Sequence, residues 1–339
     1  MSTVIKHYRN SFIDITSDKI RILMDPWLYT ANEGSWAASK NGDNYIFDSL
    51  KNKKVDYIYI SHLHTDHFDL KFLKKLKKKQ KKNFKIIIKK FKDNRLKNTL
   101  ISNGFISKDI IDIPEYEIYK LKDQAKIIIL PQVSSSNTPS EYIKYDLDTS
   151  CVFIDKNVSL YNQVDNPYSL QDIKLVMKNL RKIIKTKFDL AFVPYCAASE
   201  FPQSFINLKR SNEKKKKISE RIKKFLLVGK SIECLNIIPA GGSYRLDNIF
   251  SKLNKFLAIP NFNQIKNIYK RFNKSKFNLI NSEESFFIAT KHKIIFKKND
   301  FNTHFKSIID KSKKNIGYNK IRTSFSKKSR NSFTPYFNI

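Results

Sequence analysis

Three of the six histidines of this chain lie within the seven residues Ser61–His67. Imidazole nitrogens and carboxylate oxygens are the usual protein ligands of zinc and iron. His62 and His64 are two residues apart and therefore point the same way from an extended segment. Asp66 and His67 follow on the next turn, where they can face the same point from another side. The spacing predicts a site for one or two metal ions, and the alternative is a surface loop that is rich in histidine.

The residues on either side of this loop predict the elements that hold it. Val55–Ile60 has the β-branched and aromatic content of a buried strand. Thr65 and Asp66 are residues that commonly begin a helix, and Phe68–Leu76 then has apolar residues at helical spacing. The pattern therefore predicts a strand, a metal-binding loop and a helix, in that order.

Read as His62-x-His64-x-Asp66-His67, the loop resembles the H-x-H-x-D-H signature of the metallo-β-lactamase fold, a superfamily of metal-dependent hydrolases. The signature is specific when it follows a strand and begins a helix. The resemblance implies an α/β (α+β) fold class, with two facing sheets between outer helices in an αββα sandwich. The loop is then expected to open at one edge of the sandwich.

The resemblance covers residues 1–260, a typical span for one domain of this kind. Within it, Val4–Ile15 and Lys19–Met24 predict a β-hairpin. We expect residues 261–315 to form a basic C-terminal extension that packs on this domain. Residues 316–339, which are rich in Lys, Ser and Asn, predict a flexible tail.

An aspartate at the end of a later strand completes the metal site that the resemblance implies. In the superfamily this aspartate bridges two metal ions. Asp165 matches it by position at the end of a strand pattern, and Asp148 is a weaker candidate. Asp66 is also expected to act in catalysis by orienting the attacking water. The implied metal ligands are His62, His64, Asp66, His67 and Asp165.

Two histidines of the superfamily's full ligand set are missing. One is expected near Val133–Asn137 and the other near Gly241–Ser243, and neither segment contains histidine. His7, His292 and His304 are expected to be ordinary surface or packing residues. The site is therefore poor in ligands: it binds one metal, uses further carboxylates or waters, or has lost hydrolytic activity. Zinc is the first expectation for the metal, with iron or manganese as alternatives.

Three further segments resemble one branch of the superfamily. They are D-P-W-L at Asp25–Leu28, the glycine–tryptophan element Gly34–Trp36, and the strand and loop at Phe188–Phe205. This branch includes lactonase-like hydrolases and the hydrolase-like part of CMP-N-acetylneuraminate hydroxylase. Those hydroxylases carry a Rieske centre, which needs two Cys-x-His pairs. The three cysteines of this chain are isolated, so oxygenase chemistry does not carry over.

Composition narrows the setting and the partners. Three scattered cysteines argue for a reducing compartment, and the lack of a signal peptide or a membrane-length apolar run predicts a cytoplasmic protein. A net charge of +34 would suit nucleic acid or an anionic surface. Lys, Asn and Ile are enriched throughout, however, without regular interleaving of basic and aromatic residues. Nucleic acid is therefore an alternative partner and not the favoured one.

Together these features predict a metal-dependent hydrolase that acts on a small anionic substrate. The most specific expectation is a phosphorylated or nucleotide-activated sugar in surface-polysaccharide synthesis. The metal would lower the pKa of bound water towards neutrality, and the resulting hydroxide would attack while the metal stabilises the oxyanion. The alternatives are a nuclease of the same fold, and a non-catalytic protein of this fold with a degraded metal site.

Overall fold

Short runs of β-branched and aromatic residues form most of the strands of this chain. The computed structural model describes residues 2–17, 19–38, 43–80, 84–133, 148–185, 187–272, 277–281 and 285–298, all within the compact unit Met1–Asn299. The strands in these residues are β1 (Thr3–Arg9), β2 (Phe12–Thr16), β3 (Arg21–Met24), β4 (Trp36–Ala37), β5 (Tyr57–Tyr59), β6 (Lys85–Lys89), β7 (Ile110–Ile113), β8 (Ile118–Lys120), β9 (Lys126–Leu130), β10 (Ser150–Ile154), β11 (Ser159–Asn162), β12 (Phe188–Pro194), β13 (Cys234–Ala240), β14 (Arg245–Leu246), β15 (Asn278–Leu279), β16 (Ser285–Thr290) and β17 (Lys293–Lys298).

Helices connect many of these strands. The α-helices among the described residues are α1 (Asp43–Lys51), α2 (Leu70–Lys79), α3 (Arg95–Ser102), α4 (Leu170–Arg181), α5 (Arg210–Ser231) and α6 (Phe262–Arg271). Short 3₁₀ helices span Asn32–Gly34, Ser107–Asp109, Lys122–Gln124 and Asn248–Phe256. Within the ranges given above, no helix is long and apolar enough to cross a membrane.

The strands assemble into two large sheets. One sheet has the order β17-β16-β1-β2-β3-β5-β6-β7, the other has the order β15-β13-β12-β11-β10-β9-β8, and β4 pairs separately with β14. The neighbours β3, β5, β6 and β7 are parallel, as are β11, β12, β13 and β15. The segments that follow β5 and β11 meet, since His67 contacts Asp165. The carboxyl ends of both parallel sets therefore share one edge of the molecule.

Side chains alternate between the two faces of each sheet, as the two-residue period of a strand requires. In β9, Ile127 and Ile129 join the core between the sheets, whereas Ile128 and Leu130 face outwards. Helices α1, α2 and α3 cover the outer face of the first sheet. Helices α4, α5 and α6 cover the outer face of the second. The predicted αββα sandwich is confirmed.

The amino-terminal segment differs from the hairpin predicted from the sequence. Val4–Ile15 is predicted as one strand, but the structure has two strands there, β1 and β2, which pair antiparallel with each other. Asn10 lies between them with a φ of 47°, a conformation that asparagine adopts more readily than most residues. The hairpin with Arg21–Met24 is formed by β2 alone. The polar pair Asn10–Ser11 inside the apolar run was the signal for the bend.

Residues beyond 260 add to both sheets. Helix α6 joins the outer core of the second sheet, β15 pairs with β13, and β16 pairs with β1. Residues 299–339 lie outside the described residues. The division at residue 260 and the flexible tail stay predictions.

We expect Gly242→Ala to lower the free energy of unfolding by more than about 2 kcal/mol. Gly242 has a φ of 72°, and a Cβ there would lie 2.4 Å from the carbonyl oxygen of Cys196, so backbone would have to move. Gly104→Ala is the matched control, because Gly104 has a φ of 88° but no heavy atom within 4 Å of its Cβ position. The control should lose only about 1 kcal/mol through backbone strain. Urea unfolding measures both, and equal losses would contradict the clash.

Candidate metal centre

Two buried carboxylates hold the loop Ser61–His67 in place. Asp25, directly after β3, accepts the backbone N–H of Ser61 at 2.8 Å. Asp69 caps the amino terminus of α2. Its other oxygen accepts the backbone N–H groups of Leu28 and Tyr29, at 3.0 and 2.8 Å. The loop is therefore fixed both to the end of β3 and to the segment that follows it.

Potential ligand atoms converge on this loop in two overlapping groups. The ligand atoms of His62, His67 and Asp165 all lie within 4.8 Å of one another. Those of His62, His64 and Asp148 satisfy the same limit. His62 Nε2 lies 2.8 Å from His64 Nδ1. His67 Nε2 lies 3.1 Å from Asp165 Oδ2. The two groups therefore offer ligands for a mononuclear site, or for a binuclear site in which His62 binds only one of the ions.

Asp66 is buried beside the group that contains His67 and Asp165. Its Oδ2 lies 3.6 Å from His67 Nε2. The structure thus brings together all the ligands predicted from the sequence, which are His62, His64, Asp66, His67 and Asp165. Their role as metal ligands stays a prediction, as does the catalytic role of Asp66.

Asp25 and Ser61 determine which ring nitrogens face the centre. Ser61 Oγ donates its proton to Asp25 Oδ2 at 2.6 Å, so it can only accept from His62 Nδ1, at 2.8 Å. In the neutral ring, His62 Nε2 then carries a free lone pair. His67 Nδ1 donates to the same Asp25 oxygen at 2.9 Å. A carboxylate behind a ligating histidine fixes the orientation of the ring and raises its basicity.

The buried charges of the centre favour a cation. Burial alone would lower the pKa of His67, but the carboxylates of Asp165 and Asp66 outweigh it and hold that pKa well above its usual value. Burial keeps the pKa of His62 well below its usual value, so this ring is neutral at pH 7. Burial, with Asp165 nearby, raises the pKa of Asp148 to about 7. The carboxylates that stabilise an imidazolium would also stabilise a divalent ion.

Two carboxylate oxygens of the centre have no hydrogen-bond partner. Asp148 Oδ1 and Asp165 Oδ1 are both buried, and neither is paired within the part of the chain that the structure describes. A buried carboxylate oxygen is costly unless a donor or a cation meets it. Imidazole nitrogens together with carboxylate oxygens form a donor set that zinc, iron and manganese accept. The residues present therefore fit one or two divalent metal ions.

Asp148 lies near the start of the segment where the resemblance expects a further histidine, since its backbone N–H donates to Gln132 Oε1 at 3.2 Å. The sequence ranks it below Asp165, yet its Oδ1 lies 3.6 Å from His62 Nε2. The next residue, Thr149, donates from its hydroxyl to the Ser61 carbonyl at 2.9 Å, which ties this segment to the metal loop. The only local signal was the acidic D-L-D-T stretch before β10. Residues 134–137, part of the segment where a histidine is expected, lie outside the described residues.

The backbone borders the centre in the segment where the other missing histidine is expected. A Cβ on Gly241 would lie 3.1 Å from Asp165 Oδ1, so the backbone itself borders the centre there. The N–H of Gly241 donates to the Asn10 carbonyl at 2.9 Å, which holds the backbone in place. A side chain at position 241 would therefore require Asp165 to shift, and the φ of 79° there is one that residues other than glycine rarely adopt.

The other two histidines among the described residues, His7 and His292, contact groups outside the metal centre. His7 is buried, and its Nε2 donates to the Asn10 carbonyl at 2.7 Å. His292 Nδ1 lies 2.7 Å from Asp189 Oδ2. Among the described residues, neither histidine belongs to a group of potential metal ligands. His304 lies outside those residues.

The tryptophans of the two branch-like segments pack beside the centre. Trp27 is fully buried in a cluster with Tyr244, Leu246 and Leu257. The ring of Trp36 lies 4.7 Å from that of Tyr244. These contacts join the segment after β3 to the segment after β13. Both tryptophans therefore position loops at the edge that carries the metal ligands.

A cavity of 410 Å³ adjoins the same edge. Ser243 and Tyr244 line it, directly beyond the two glycines that follow β13. Arg9 and Arg245 bring guanidinium groups to its wall, and Tyr195 brings a phenol ring. Guanidinium groups bind phosphate and carboxylate well, and aromatic rings pack against the apolar face of a ligand. The lining suits a small molecule that carries a negative charge.

We expect Asp25→Asn to weaken metal binding about 10- to 100-fold, as loss of a carboxylate behind a ligating histidine typically does. An asparagine cannot accept from Ser61 and His67 together as the carboxylate does. Asp69→Asn is the matched control, because Asp69 is also buried and accepts three backbone N–H groups without touching the centre. Metal affinity by competition with a chelator, and stability by urea unfolding, separate the two variants. A similar loss of affinity in both would contradict the positioning role of Asp25.

Comparison with known proteins gives one short sequence match. No family model matches the chain. A protein of Mycolicibacterium smegmatis described as a Rieske 2Fe-2S iron–sulfur protein is 43% identical over 54 residues, which are 16% of this chain and 10% of that protein. The chain thus matches about a tenth of that relative's length.

Solved structures match most of the chain at low identity. Igni18, a metallo hydrolase of Ignicoccus hospitalis, has a TM-score of 0.50 at 14% identity, over 88% of this chain and 99% of its own. CmlA, a diiron β-hydroxylase of Streptomyces venezuelae, has a TM-score of 0.53 at 12% identity, over 85% of this chain and 54% of its own. YhfI of Bacillus subtilis, a metallo-β-lactamase fold protein, has a TM-score of 0.50 at 9% identity, over 88% of this chain and 100% of its own. The described part of this chain therefore has the metallo-β-lactamase fold.

Proposed function

We propose that this protein is a metal-dependent hydrolase. The observation that carries the proposal is the pair of ligand groups that share His62, one with His64 and Asp148 and the other with His67 and Asp165. The same fold is found in Igni18, which is described as a metallo hydrolase. Zinc, iron and manganese all fit the donor set, and iron has precedent in the fold through the diiron enzyme CmlA.

The residues around the centre have separate tasks in this proposal. A divalent ion there would supply Lewis acidity, which lowers the pKa of water and stabilises negative charge on the reacting group. Asp25 and Ser61 hold His67 and His62 with the correct ring nitrogens facing the centre. Burial raises the pKa of Asp66, although His67 opposes the shift. Asp66 is therefore suited to orient the attacking water through its carboxylate.

The proposed substrate is a small anion. The 410 Å³ cavity next to the segment that follows β13 supports this, since Arg9 and Arg245 line it, and the candidate metal ligands lie outside its lining. Its volume lies in the range of about 300–1,000 Å³ that is usual for small-molecule sites. Within this class we propose a phosphorylated or nucleotide-activated sugar, of the kind used in surface-polysaccharide synthesis. The phosphate would meet the arginines, and the sugar or base would meet Tyr195 and Tyr244.

A substrate panel tests the proposal. Metal-loaded protein is incubated with sugar phosphates, nucleotide sugars, a neutral lactone and single-stranded RNA, and the products are followed by phosphorus NMR and chromatography. We expect hydrolysis of an anionic sugar derivative, and abolition of turnover by chelation. Turnover of the neutral lactone alone would contradict the anionic substrate, and cleavage of RNA alone would favour a nuclease. No turnover of any substrate by metal-loaded protein would favour a non-catalytic role.

For the substrate that is turned over, Arg245→Ala should raise KM by about tenfold or more and leave kcat nearly unchanged, because the arginine would bind substrate and transition state alike. Lys252→Ala is the matched control, since Lys252 is exposed and does not line the cavity. Steady-state kinetics of both variants measure these changes in KM and kcat. An unchanged KM in Arg245→Ala would exclude the cavity as the substrate site.

A further inference from the structure

A second cavity, with a volume of 630 Å³, lies beside the amino-terminal ends of β3 and β5 in the first sheet. We call it the basic cleft, defined by the five basic side chains that line it, which are Lys6, Lys19, Arg21, Lys53 and Lys54. Arg21 begins β3, and its carbonyl accepts the N–H of Asp56, which directly precedes β5. The metal loop follows the carboxyl end of β5, and Asp25 follows the carboxyl end of its parallel neighbour β3. The basic cleft and the metal centre therefore lie at opposite ends of the same strands.

The two acidic residues of the cleft are already neutralised by neighbours. Arg21 donates to both oxygens of Asp14, at 2.9 and 2.7 Å. Asp56 is paired with Lys54 and with Lys122, each at 2.9 Å. Both carboxylates are therefore already engaged, and Asp14, the cross-strand partner of Lys6, offsets only part of the positive charge of that lysine.

Two lysines and one nitrogen of Arg21 are not paired with these two carboxylates. Lys6 and Lys53 form no ion pair with an acidic residue in the described ranges, and Arg21 Nη1 is buried without a hydrogen-bond partner there. Burial lowers the pKa of Lys6; Asp14 opposes this shift, and the positive charges of Lys53 and Arg21 add to it. These lysines therefore repel each other in a concave site, and concave sites lined by one sign of charge focus the field on a ligand of opposite sign.

We propose that the basic cleft binds the phosphate or diphosphate group of a small molecule, at a site separate from the metal centre. Lysine ammonium and arginine guanidinium groups are the side chains that bind phosphate oxygens through charge-assisted hydrogen bonds. The cleft has the volume of a small-molecule site. A polynucleotide would instead need a groove that follows its backbone, with aromatic side chains for base stacking. Tyrosine, phenylalanine and tryptophan are absent from the residues that line this cleft.

Calorimetric titration with pyrophosphate at constant ionic strength tests the proposal. The full chain is titrated in its native form and as His62→Ala/His64→Ala, which removes pyrophosphate binding to metal at the centre. We expect one saturable site per chain that persists in the second protein. Loss of all saturable binding in His62→Ala/His64→Ala would assign the pyrophosphate to the metal centre and overturn the proposal. Because this result does not depend on catalysis, it stands apart from the test of hydrolase activity.

Matched lysine variants locate the site. Lys6→Met/Lys53→Met keeps the aliphatic stems and should weaken pyrophosphate binding at least tenfold, whereas Lys6→Arg/Lys53→Arg should retain it. Lys78→Met/Lys79→Met, on the basic helix α2, removes the same charge elsewhere and should have no effect. Equal weakening by both methionine pairs would show non-specific attraction and overturn the proposal. Single-stranded RNA that binds more tightly than pyrophosphate, and is lost with Lys6 and Lys53, would overturn the small-molecule ligand.

Discussion

Replacing His62 and His64 together with alanine should reduce the affinity for metal at least about 1,000-fold and abolish turnover. Binding free energies of about 10–16 kcal/mol for a four-ligand zinc site correspond to roughly 3 kcal/mol per ligand. Loss of two imidazoles therefore exceeds the approximately 4 kcal/mol that a factor of 1,000 represents. Elemental analysis of protein purified from metal-replete medium, before and after mild chelation, measures the effect.

His292→Ala is the control for this double variant. It also removes an imidazole that contacts a carboxylate, but at Asp189 and outside the ligand groups. We expect it to retain the full complement of metal. Metal-free wild-type protein, or undiminished metal in His62→Ala/His64→Ala, would show that the loop does not bind metal, and the non-catalytic role would then be favoured.

The second large effect concerns which metal binds and how many ions are held. We expect one tightly bound ion and a second that mild chelation removes, with the metal preference shifted from zinc towards iron or manganese. The centre offers three imidazoles together with the carboxylates of Asp66, Asp148 and Asp165. Oxygen-rich donor sets favour the harder cations, whereas additional nitrogen donors favour zinc. Calorimetric titration of metal-free protein with zinc and with manganese under anaerobic conditions gives the stoichiometry and the order of affinities.

Asp148→His sharpens this experiment, because it replaces a carboxylate beside His62 and His64 with an imidazole. The variant should gain at least about tenfold in zinc affinity relative to manganese, whereas Asp148→Asn should lose affinity for both ions. Two tight zinc sites of equal affinity in the wild-type protein would contradict the prediction. They would mean that a further ligand, such as His304, which lies outside the described residues, enters the centre.

Local patterns predict those parts of the structure whose causes lie in neighbouring residues. The continuous apolar run Ile127 to Leu130 predicts a strand that is buried on both faces, because the composition of a short segment needs no information from the rest of the chain. The loop Ser61–His67 is predicted as a metal site for a similar reason, since most of its ligands are contiguous. The polar pair Asn10–Ser11 was a local signal for a bend. The prediction of Val4–Ile15 as a single strand was therefore wrong.

The sequence by itself therefore predicted the sandwich, which the structure confirms, and a candidate ligand set that includes Asp165 at a strand end. Only the tertiary structure decided that Asp148 lies against His62 and that Asp25 orients His67. Only the fold brings the backbone of Gly241 against Asp165. Each of these contacts joins residues more than forty positions apart in the chain. Their distances depend on how the two sheets pack and on which strand ends share an edge, and no local period of apolar or polar residues encodes that arrangement.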